Sequence, residues 1–501
     1  MQRKALSVAI AAALSVAAGS ASAALTYTSA DTAVVNISGS SATNTQLKSW
    51  AANVLCSSDA ITLTNDTNNF AVVCTPNASA ITLPAGKTHV AVIKNSQGGS
   101  GNGIGPIANQ TTVSFMNVFG TPTAGVYPVV NAIPDIGFSD EEPAVLIAAG
   151  ATTGNASKVK ANPLNVVTFG VPVTLSLRNA LQQAQFGAGC VGSETEACMP
   201  SLSKQQLSSI FAGTLTDWTQ LGLPSHVAAD GTTDNNIYIA RRVYSSGTQT
   251  GSRAFFLNDP CATSSGVQGF VAGDISTGDP TANQANYPET VTQADACNNT
   301  SNFYTTTWGV RVFEGSGSGN VEACVSNHER NGRWAISINS LEFPAVSSDT
   351  FENFAIGGGA DQLSKLNNKD FQRHIRIDGY APTTYNVATG HYGNWVEASL
   401  NVSSSVPLSA SATALFNSMK TGFNSPAVLS GLNNGFNTSA LLQLSDATAQ
   451  AGILAPANSR TTAPANPATK AATYATPVAY FTHNSNTCQP PLQRWSTGTS
   501  N

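Results

Sequence analysis

Ala33-Val34-Val35-Asn36-Ile37, then Ser38-Gly39-Ser40-Ser41-Ala42-Thr43, then Leu47, Trp50, Ala51 and Val54 at helical spacing: this stretch reads as strand, small-residue turn, helix. The pattern recurs. A second strand, His89 to Lys94, runs into Gln97-Gly98-Gly99-Ser100-Gly101-Asn102-Gly103-Ile104, a turn where backbone can approach a ligand closely. A third edge, Ile133-Pro134-Asp135-Ile136-Gly137-Phe138, ends in Ser139-Asp140-Glu141-Glu142-Pro143. Strands alternating with helices predict an α/β fold with mixed, mainly parallel sheets, whose ligands gather beyond the carboxyl ends of the strands.

Farther along, Val166-Val167-Thr168-Phe169-Gly170-Val171-Pro172-Val173 reads as a long apolar strand able to cross between two lobes. Ser203 and Gln206 make a capping box ahead of the helical face Leu207, Ile210 and Phe211. Ile237-Tyr238-Ile239-Ala240 is strand-like, and Gly251 to Leu257 is helix-like; between them stand Arg242 and Ser246-Gly247-Thr248. A guanidinium fork binds two oxygens at once, and hydroxyls with free N–H groups at a helix start add donors aligned with the helix dipole. Taken singly, each of these segments has a plainer reading. Ser246-Gly247-Thr248, Ser38 to Ala42 and Gly99 to Gly103 are ordinary turns, Ser139-Asp140 is a helix N-cap, and Arg242 pairs with a surface carboxylate.

Arg3 and Lys4 precede an apolar run from Ala5 to Ala18, and Gly19-Ser20-Ala21-Ser22-Ala23 supplies a small-residue cleavage site, the layout of a secretory signal peptide cut near Ala23. The expected location is the periplasm or the exterior. The expected organisation is a signal peptide over 1–23, the first part of lobe 1 over 24–168, lobe 2 over 169–395, and over 396–501 a return to lobe 1 with a C-terminal tail. An even set of eight cysteines in an exported chain favours disulfides. Nearest-neighbour pairing joins Cys56 to Cys74, Cys190 to Cys198, Cys261 to Cys297, and Cys324 to Cys488. The stretch from Cys261 to Cys324 reads as a long loop-rich insertion, Gly315 to Gly319 as a flexible run, and Pro456 to Pro477 as a tail along the surface.

Charged residues make up 10% of the chain, well below the usual ~25%, and the net charge is −5; neither favours nucleic acid. No apolar stretch after the signal peptide reaches the ~20 residues that span a bilayer. Trp218, Trp334 and Trp395 sit beside apolar positions and read as packing residues. The histidines are scattered without metal-ligand spacing, so no metal or other cofactor is expected.

In this order, Ser38 to Ala42, Gly99 to Gly103, Phe138-Ser139-Asp140 and Arg242 to Thr248 resemble the phosphate-binding protein family of bacterial ABC transporters. Leu207 to Trp218 is similar to that family's "IFxGxIxxW" segment, and Asp378-Gly379-Tyr380-Ala381-Pro382-Thr383 through Tyr392 to its "DGxxPT…GxY" segment. The resemblance implies a two-lobed type II periplasmic binding protein fold with a tetrahedral oxyanion in a central cleft. It also implies roles: Ser41, the N–H of Ala42, Ser100, Ser246, Gly247 and Thr248 as donors to phosphate, Arg242 as the charge, and Asp140 as acceptor of the ligand's proton. An ABC permease becomes the candidate partner. Two departures stand out: Tyr244 occupies the place of an acidic residue that orients the arginine, and Ala42 that of a bulky aromatic.

Two other classes compete with a binding protein. A phosphatase needs an activated nucleophile or metal ligands, and the sequence holds neither a GxSxG elbow nor a carboxylate-histidine cluster, so no enzyme is expected. A secreted structural or adhesive protein that reuses the fold fits the insertions and the low charge; a cleft plugged by the Cys261 to Cys324 insertion would favour it.

Overall fold

The opening stretch folds as read, with β1 (Thr32–Gly39) passing through a four-residue turn into α1 (Asn44–Trp50). This computed structural model describes residues 25–66, 68–261, 296–297, 304–305, 309–341, 371–436, 452–465, 473 and 476–496. The expected signal peptide, most of the Cys261 to Cys324 insertion and part of the Pro456 to Pro477 tail lie outside them. The polar stretch bounded by Cys56 and Cys74 reads from its sequence as a surface insertion, but it builds the hairpin of β2 (Ile61–Thr64) and β3 (Asn69–Cys74). Phe70, Ala71, Val72 and Val73 are all buried, which places β3 inside the sheet, antiparallel to β4 (His89–Asn95).

Next come α2 (Gly101–Asn109), the small hairpin of β5 (Val113–Met116) and β6 (Val129–Ala132), then β7 (Ile136–Ser139) and the short α3 (Pro143–Ala148). β1 lies between β4 and β7, parallel to both. The apolar run after Asn165 belongs to β8 (Val159–Thr174), whose 16 residues span roughly 50 Å of extended chain. Beyond it lie α4 (Leu175–Phe186), β9 (Ser201–Leu202), α5 (Lys204–Phe211), β10 (Tyr238–Arg242) and α6 (Gly247–Leu257). Then follow β11 (Tyr304–Thr305), β12 (Arg311–Gly315), α7 (Ser318–Arg330), β13 (Ala335–Ser337), β14 (Asn339–Ser340) and β15 (Gln372–Ile377). The chain closes through α8 (Thr384–Ala388), β16 (Trp395–Ser403), α9 (Ala410–Phe423), α10 (Pro426–Phe436) and β17 (Ile453–Leu454).

One large mixed sheet carries these strands, and the fold is α/β. Parallel pairing forms the centre of each half: β4-β1-β7 on one side and β12-β10-β13 on the other. Antiparallel β8 joins them, pairing β16 along Val159 to Thr168 and β15 along Val171 to Thr174. Leu164, Val166, Val167, Phe169, Val171 and Val173 are fully buried, so both faces of this crossing strand are covered. Trp218, Trp334 and Trp395 are likewise core residues.

Three glycines set how closely the first helix layer sits on the sheet. A Cβ on Gly103 of α2 would lie 2.0 Å from the Phe138 carbonyl oxygen of β7, and one on Gly39 of β1 would lie 2.5 Å from Gly103 Cα. A Cβ on Gly137 would lie 1.8 Å from the Gly103 carbonyl oxygen. Backbone therefore packs on backbone, which only residues without a side chain allow.

The four disulfides join Cys56 to Cys74, Cys190 to Cys198, Cys261 to Cys488, and Cys297 to Cys324. The first two match the nearest-neighbour expectation; the pairs Cys261–Cys297 and Cys324–Cys488 do not occur. Cys324 lies on the buried face of α7, beside Cys297 in a cluster with Tyr238, Phe313 and Val321. Cys488 is carried to the end of α6 by a C-terminal segment separated from Cys261 by 227 positions, a proximity that only the folded chain creates.

Gly103→Ala should lower stability by about 1 to 3 kcal/mol or more, because the atoms it meets are main chain and cannot rotate away. Gly431→Ala on exposed α10, where nothing lies within 4 Å of the added methyl, should instead raise it by about 0.5 to 1 kcal/mol. Urea denaturation of the two variants checks this contrast of sign.

Candidate functional site

The carboxyl ends of β1, β4, β7, β10 and β12 converge, and each delivers polar residues to one buried region. From the turn after β1 come Ser40 and Ser41, from the end of β4 comes Lys94, and Ser100 caps α2. Asp140 follows β7, Arg242 ends β10, and Ser246, Gly247 and Thr248 open α6. All of the residues singled out by sequence are brought together here: Ser41, Ala42, Ser100, Asp140, Arg242, Ser246, Gly247 and Thr248 are each buried. α6 begins at Gly247, four residues earlier than its apolar pattern indicates, so its first-turn N–H groups belong to the turn itself.

Arg242 spans both halves of the sheet. Its Nη1 donates to Ser41 Oγ and to Ser318 Oγ, both at 3.2 Å, while Nη2 donates to the Ser316 carbonyl at 2.7 Å and Nε to that of Gly315 at 3.3 Å. The Gly315 to Gly319 run, expected to be flexible, is instead the end of β12 and the start of α7, and it orients this arginine. Tyr244 turns away from Arg242 and stacks under the Arg253 guanidinium, 4.5 Å from Cζ to ring centre.

Asp140 faces it from the other half. Its carboxylate accepts from Ser40 Oγ, and its own N–H donates to Ser100 Oγ at 3.0 Å. Burial pushes the Asp140 carboxyl above its ordinary range, against the opposing pull of the Ser40 hydrogen bond, Arg242, Ser100 and Lys94. The plainer reading of Ser139-Asp140 as a helix N-cap does not hold: α3 begins at Pro143, with Glu142 at its N-cap. The N–H of Ala42 donates to Ser40 Oγ at 3.0 Å. Buried Lys94 donates to the carbonyls of Gly39 and Ser40, the latter at 2.9 Å.

The two sides touch across this region. Gly101 N–H donates to the Ser245 carbonyl at 2.8 Å. A Cβ on Gly247 would fall 2.3 Å from Ser100 Oγ and 2.8 Å from Asp140 Oδ2, so the start of α6 rests directly on the aspartate. Thr248 Oγ1 is buried with no hydrogen-bond partner among the described residues, which costs roughly 1 to 3 kcal/mol unless something accepts from it. Chemically this is a donor-rich enclosure with a fixed positive charge, two helix starts and one carboxyl group, suited to an oxyanion that carries a proton.

Sequence reasoning missed Ser40, Lys94, Ser316 and Ser318. Lys94 carried a signal, a lone cation closing an apolar strand; the serines did not, since which of two adjacent serines turns inward depends on the turn's backbone angles. As for metals, Cys297, Cys324 and His328 cluster among the described residues, but the two sulfurs are bonded to each other and offer no thiolate. No helix among the described residues is long and apolar enough to cross a membrane.

No family model matches the chain. No curated protein matches it either. Among solved structures, it is similar to a putative phosphate ABC transporter substrate-binding protein with bound phosphate from Clostridium perfringens, at 13% identity over 80% of this chain and 97% of that one, with a TM-score of 0.40. It is also similar to an ABC-type phosphate transport receptor from Vibrio cholerae (13% identity, 80% and 98% of the chains, TM-score 0.36) and to a DING protein (15% identity, 83% and 99%, TM-score 0.38).

Beside Asp140 lies a second carboxylate group with a different environment. Glu141 is wholly buried, and its carboxyl is raised well above the ordinary 4.5, first by burial and then by the neighbouring charges of Glu142, Asp140 and Glu397. Thr487 Oγ1 donates to Glu141 Oε2, while Glu141 Oε1 is buried without a partner among the described residues. A carboxyl with a raised folded pKa binds its proton more tightly folded than unfolded, so its stabilisation is full at acid pH and falls as pH rises from its ordinary value through its folded one. Glu141→Gln removes that titration. Its stability relative to the parent should therefore improve as pH is raised from about 4 to about 8, as measured by denaturant melts across that window.

Proposed function

We propose that the chain is an exported solute-binding protein that captures inorganic phosphate, or a similar tetrahedral oxyanion, between its two halves. Residues 24–168 and 396–501 would form one jaw and 169–395 the other. The observation that carries this reading is the placing of buried Asp140 within the electrostatic reach of buried Arg242, inside a ring of hydroxyls and helix starts. A fixed guanidinium supplies attraction for an anion, and a carboxyl group supplies the test of which anion. Hydrogen phosphate keeps an O–H near neutral pH and donates it to Asp140. Sulfate carries no proton there, so it would leave the carboxylate facing an oxygen without a hydrogen between them, at a cost of about 1 to 3 kcal/mol or more.

Ser41, Ser100, Ser246 and Thr248, with the N–H of Gly247, are the proposed neutral donors; the N–H of Ala42, also expected to donate to the ligand, is given to Ser40 Oγ instead. Neutral donors spread over several elements suit a dianion, because they stabilise charge without exceeding it. The disulfides fit an oxidising compartment, the periplasm or the exterior. Delivery to an ABC permease is the proposed role downstream.

Calorimetry with phosphate and sulfate tests the reading directly: micromolar or tighter phosphate binding is expected, and no detectable heat at millimolar phosphate would refute it. Arg242→Ala should weaken phosphate binding by more than ~2 kcal/mol, the loss typical of truncating one member of a buried charge-assisted contact. Asp140→Asn replaces an acceptor with a donor, so the ratio of sulfate to phosphate affinity should rise; an unchanged ratio removes Asp140 as the selector.

A further inference from the structure

The C-terminal segment grips both halves of the molecule with adjacent residues. Thr487 holds the first half: its N–H donates to Glu142 Oε1 at 2.7 Å, and its hydroxyl to Glu141 Oε2 and, at 3.1 Å, to Glu142 Oε2. Cys488 holds the second half, through its disulfide to Cys261 just past the end of α6. That helix is the one whose first turn rests on Asp140. Midway along it, Gly251 is seated on the same carboxylates, since a Cβ there would lie 2.3 Å from Glu141 Oε1.

The segment is anchored upstream as well. Thr482 Oγ1 donates to Glu397 Oε1 at 2.7 Å, and Ser485 N–H to Glu397 Oε2 at 3.2 Å, so β16 holds it from below. His483 packs on Trp395 of the same strand and donates from Nδ1 to the Gln489 carbonyl, 2.7 Å away. Ala479 N–H donates to Ala455, and Tyr480 N–H to Ala388. Such a segment is ordered along its length before it reaches α6.

We propose that residues 477–496 form a strap that holds the two jaws closed over the anion site, fixed covalently to the far end of α6 and by Thr487 to Glu141 and Glu142. The strap acts on the rate at which the jaws part. Opening by rotation of α6 away from Asp140 must either carry the strap off the carboxylates or pivot about the Cys261–Cys488 bond, whereas without the bridge α6 is released. An anion captured by this protein is therefore exchanged slowly, and cleavage of the half-buried Cys261–Cys488 disulfide by a thiol reductant speeds its release. The inference rests on the proposed opening of the cleft; it does not depend on which anion is bound.

Hydrogen exchange of the ligand-free protein reads the jaws, and stopped-flow release of inorganic phosphate reads the ligand. In Cys261→Ser/Cys488→Ser, the amides of Gly101 and of residues 246–252 should exchange roughly tenfold faster or more, with β4 and β8 unchanged as internal controls. Thr487→Val keeps the bridge and removes the hydroxyl donor, and a smaller acceleration at the same amides is expected. It also decides the matter should the double cysteine variant fail to fold. Unchanged exchange at Gly101 and 246–252 in the variants that fold overturns the strap. Faster exchange in a protein that shows no phosphate binding upholds the strap and refutes phosphate as the ligand, so the two failures are distinguishable.

Discussion

The contact on which the site depends is far simpler than the site itself: main chain of α2 lying on main chain of β1 and β7 at Gly39, Gly103 and Gly137. A helix resting on a sheet normally stands off by the thickness of its side chains. Here that spacer is missing at the crossing point, and the start of α2 drops toward the ends of the strands. Ser100 thereby reaches the N–H of Asp140, and Gly101 reaches the Ser245 carbonyl of the opposite half. A methyl group at any of the three positions lifts the helix and both contacts with it. Packing density, which in most proteins is a matter of stability, here sets how closely the two sides approach at the site.

Asp140 and Glu141 show how neighbouring acids in one turn acquire separate chemistry. Both are fully buried, and burial raises both. Around Asp140 the other contributions are a hydroxyl, an arginine, a second hydroxyl and a lysine, all of which favour the charged form. Around Glu141 they are three carboxylates and one threonine, and the charges all favour the neutral form. Two residues one position apart therefore face opposite fields: Asp140 lies beside the Arg242 and Lys94 charges, while Glu141 accepts from Thr487 and anchors the C-terminal segment. The bend after β7, where Ser139 Oγ bonds to both the N–H and the carbonyl of Glu141, separates them spatially.

The alternating strand, turn and helix pattern was legible because its causes are local: apolar residues in runs, small residues where the chain reverses, and apolar spacing of three and four afterwards. The crossing strand β8 was legible for the same reason, as a run too apolar to be exposed on either face. The β2–β3 hairpin was not, because polar Asn65, Asp66 and Asn69 around its turn made the segment look like surface, although Phe70 to Cys74 are core. Gly315 to Gly319 misled in a related way. Glycine and serine suit a free linker and equally a tight passage beside a charged group, and composition does not separate the two. The disulfides Cys261–Cys488 and Cys297–Cys324 were beyond reach of spacing, since the partners are set by where α6, α7 and the C-terminus end in space.

In the expected pattern an acidic residue two positions after Arg242 orients the arginine, and Tyr244 stands there instead. The structure supplies orientation by other means: carbonyls of Gly315 and Ser316, and hydroxyls of Ser41 and Ser318. An acid is nevertheless close by. Glu314 pairs with Arg241, its register partner across β10 and β12, on the opposite face of the strand. Because successive residues of a strand face opposite ways, Arg241 takes the ion pair in the interior while Arg242 is turned to the cleft. Carbonyl and hydroxyl acceptors hold a guanidinium in place through their dipoles and add no formal negative charge, so they orient the group without cancelling it. Losing the orienting acid from the cleft face thus need not weaken the grip on an anion. On the proposed reading it removes one negative charge from beside the ligand and would leave Asp140 as the acid against which the anion's proton is read.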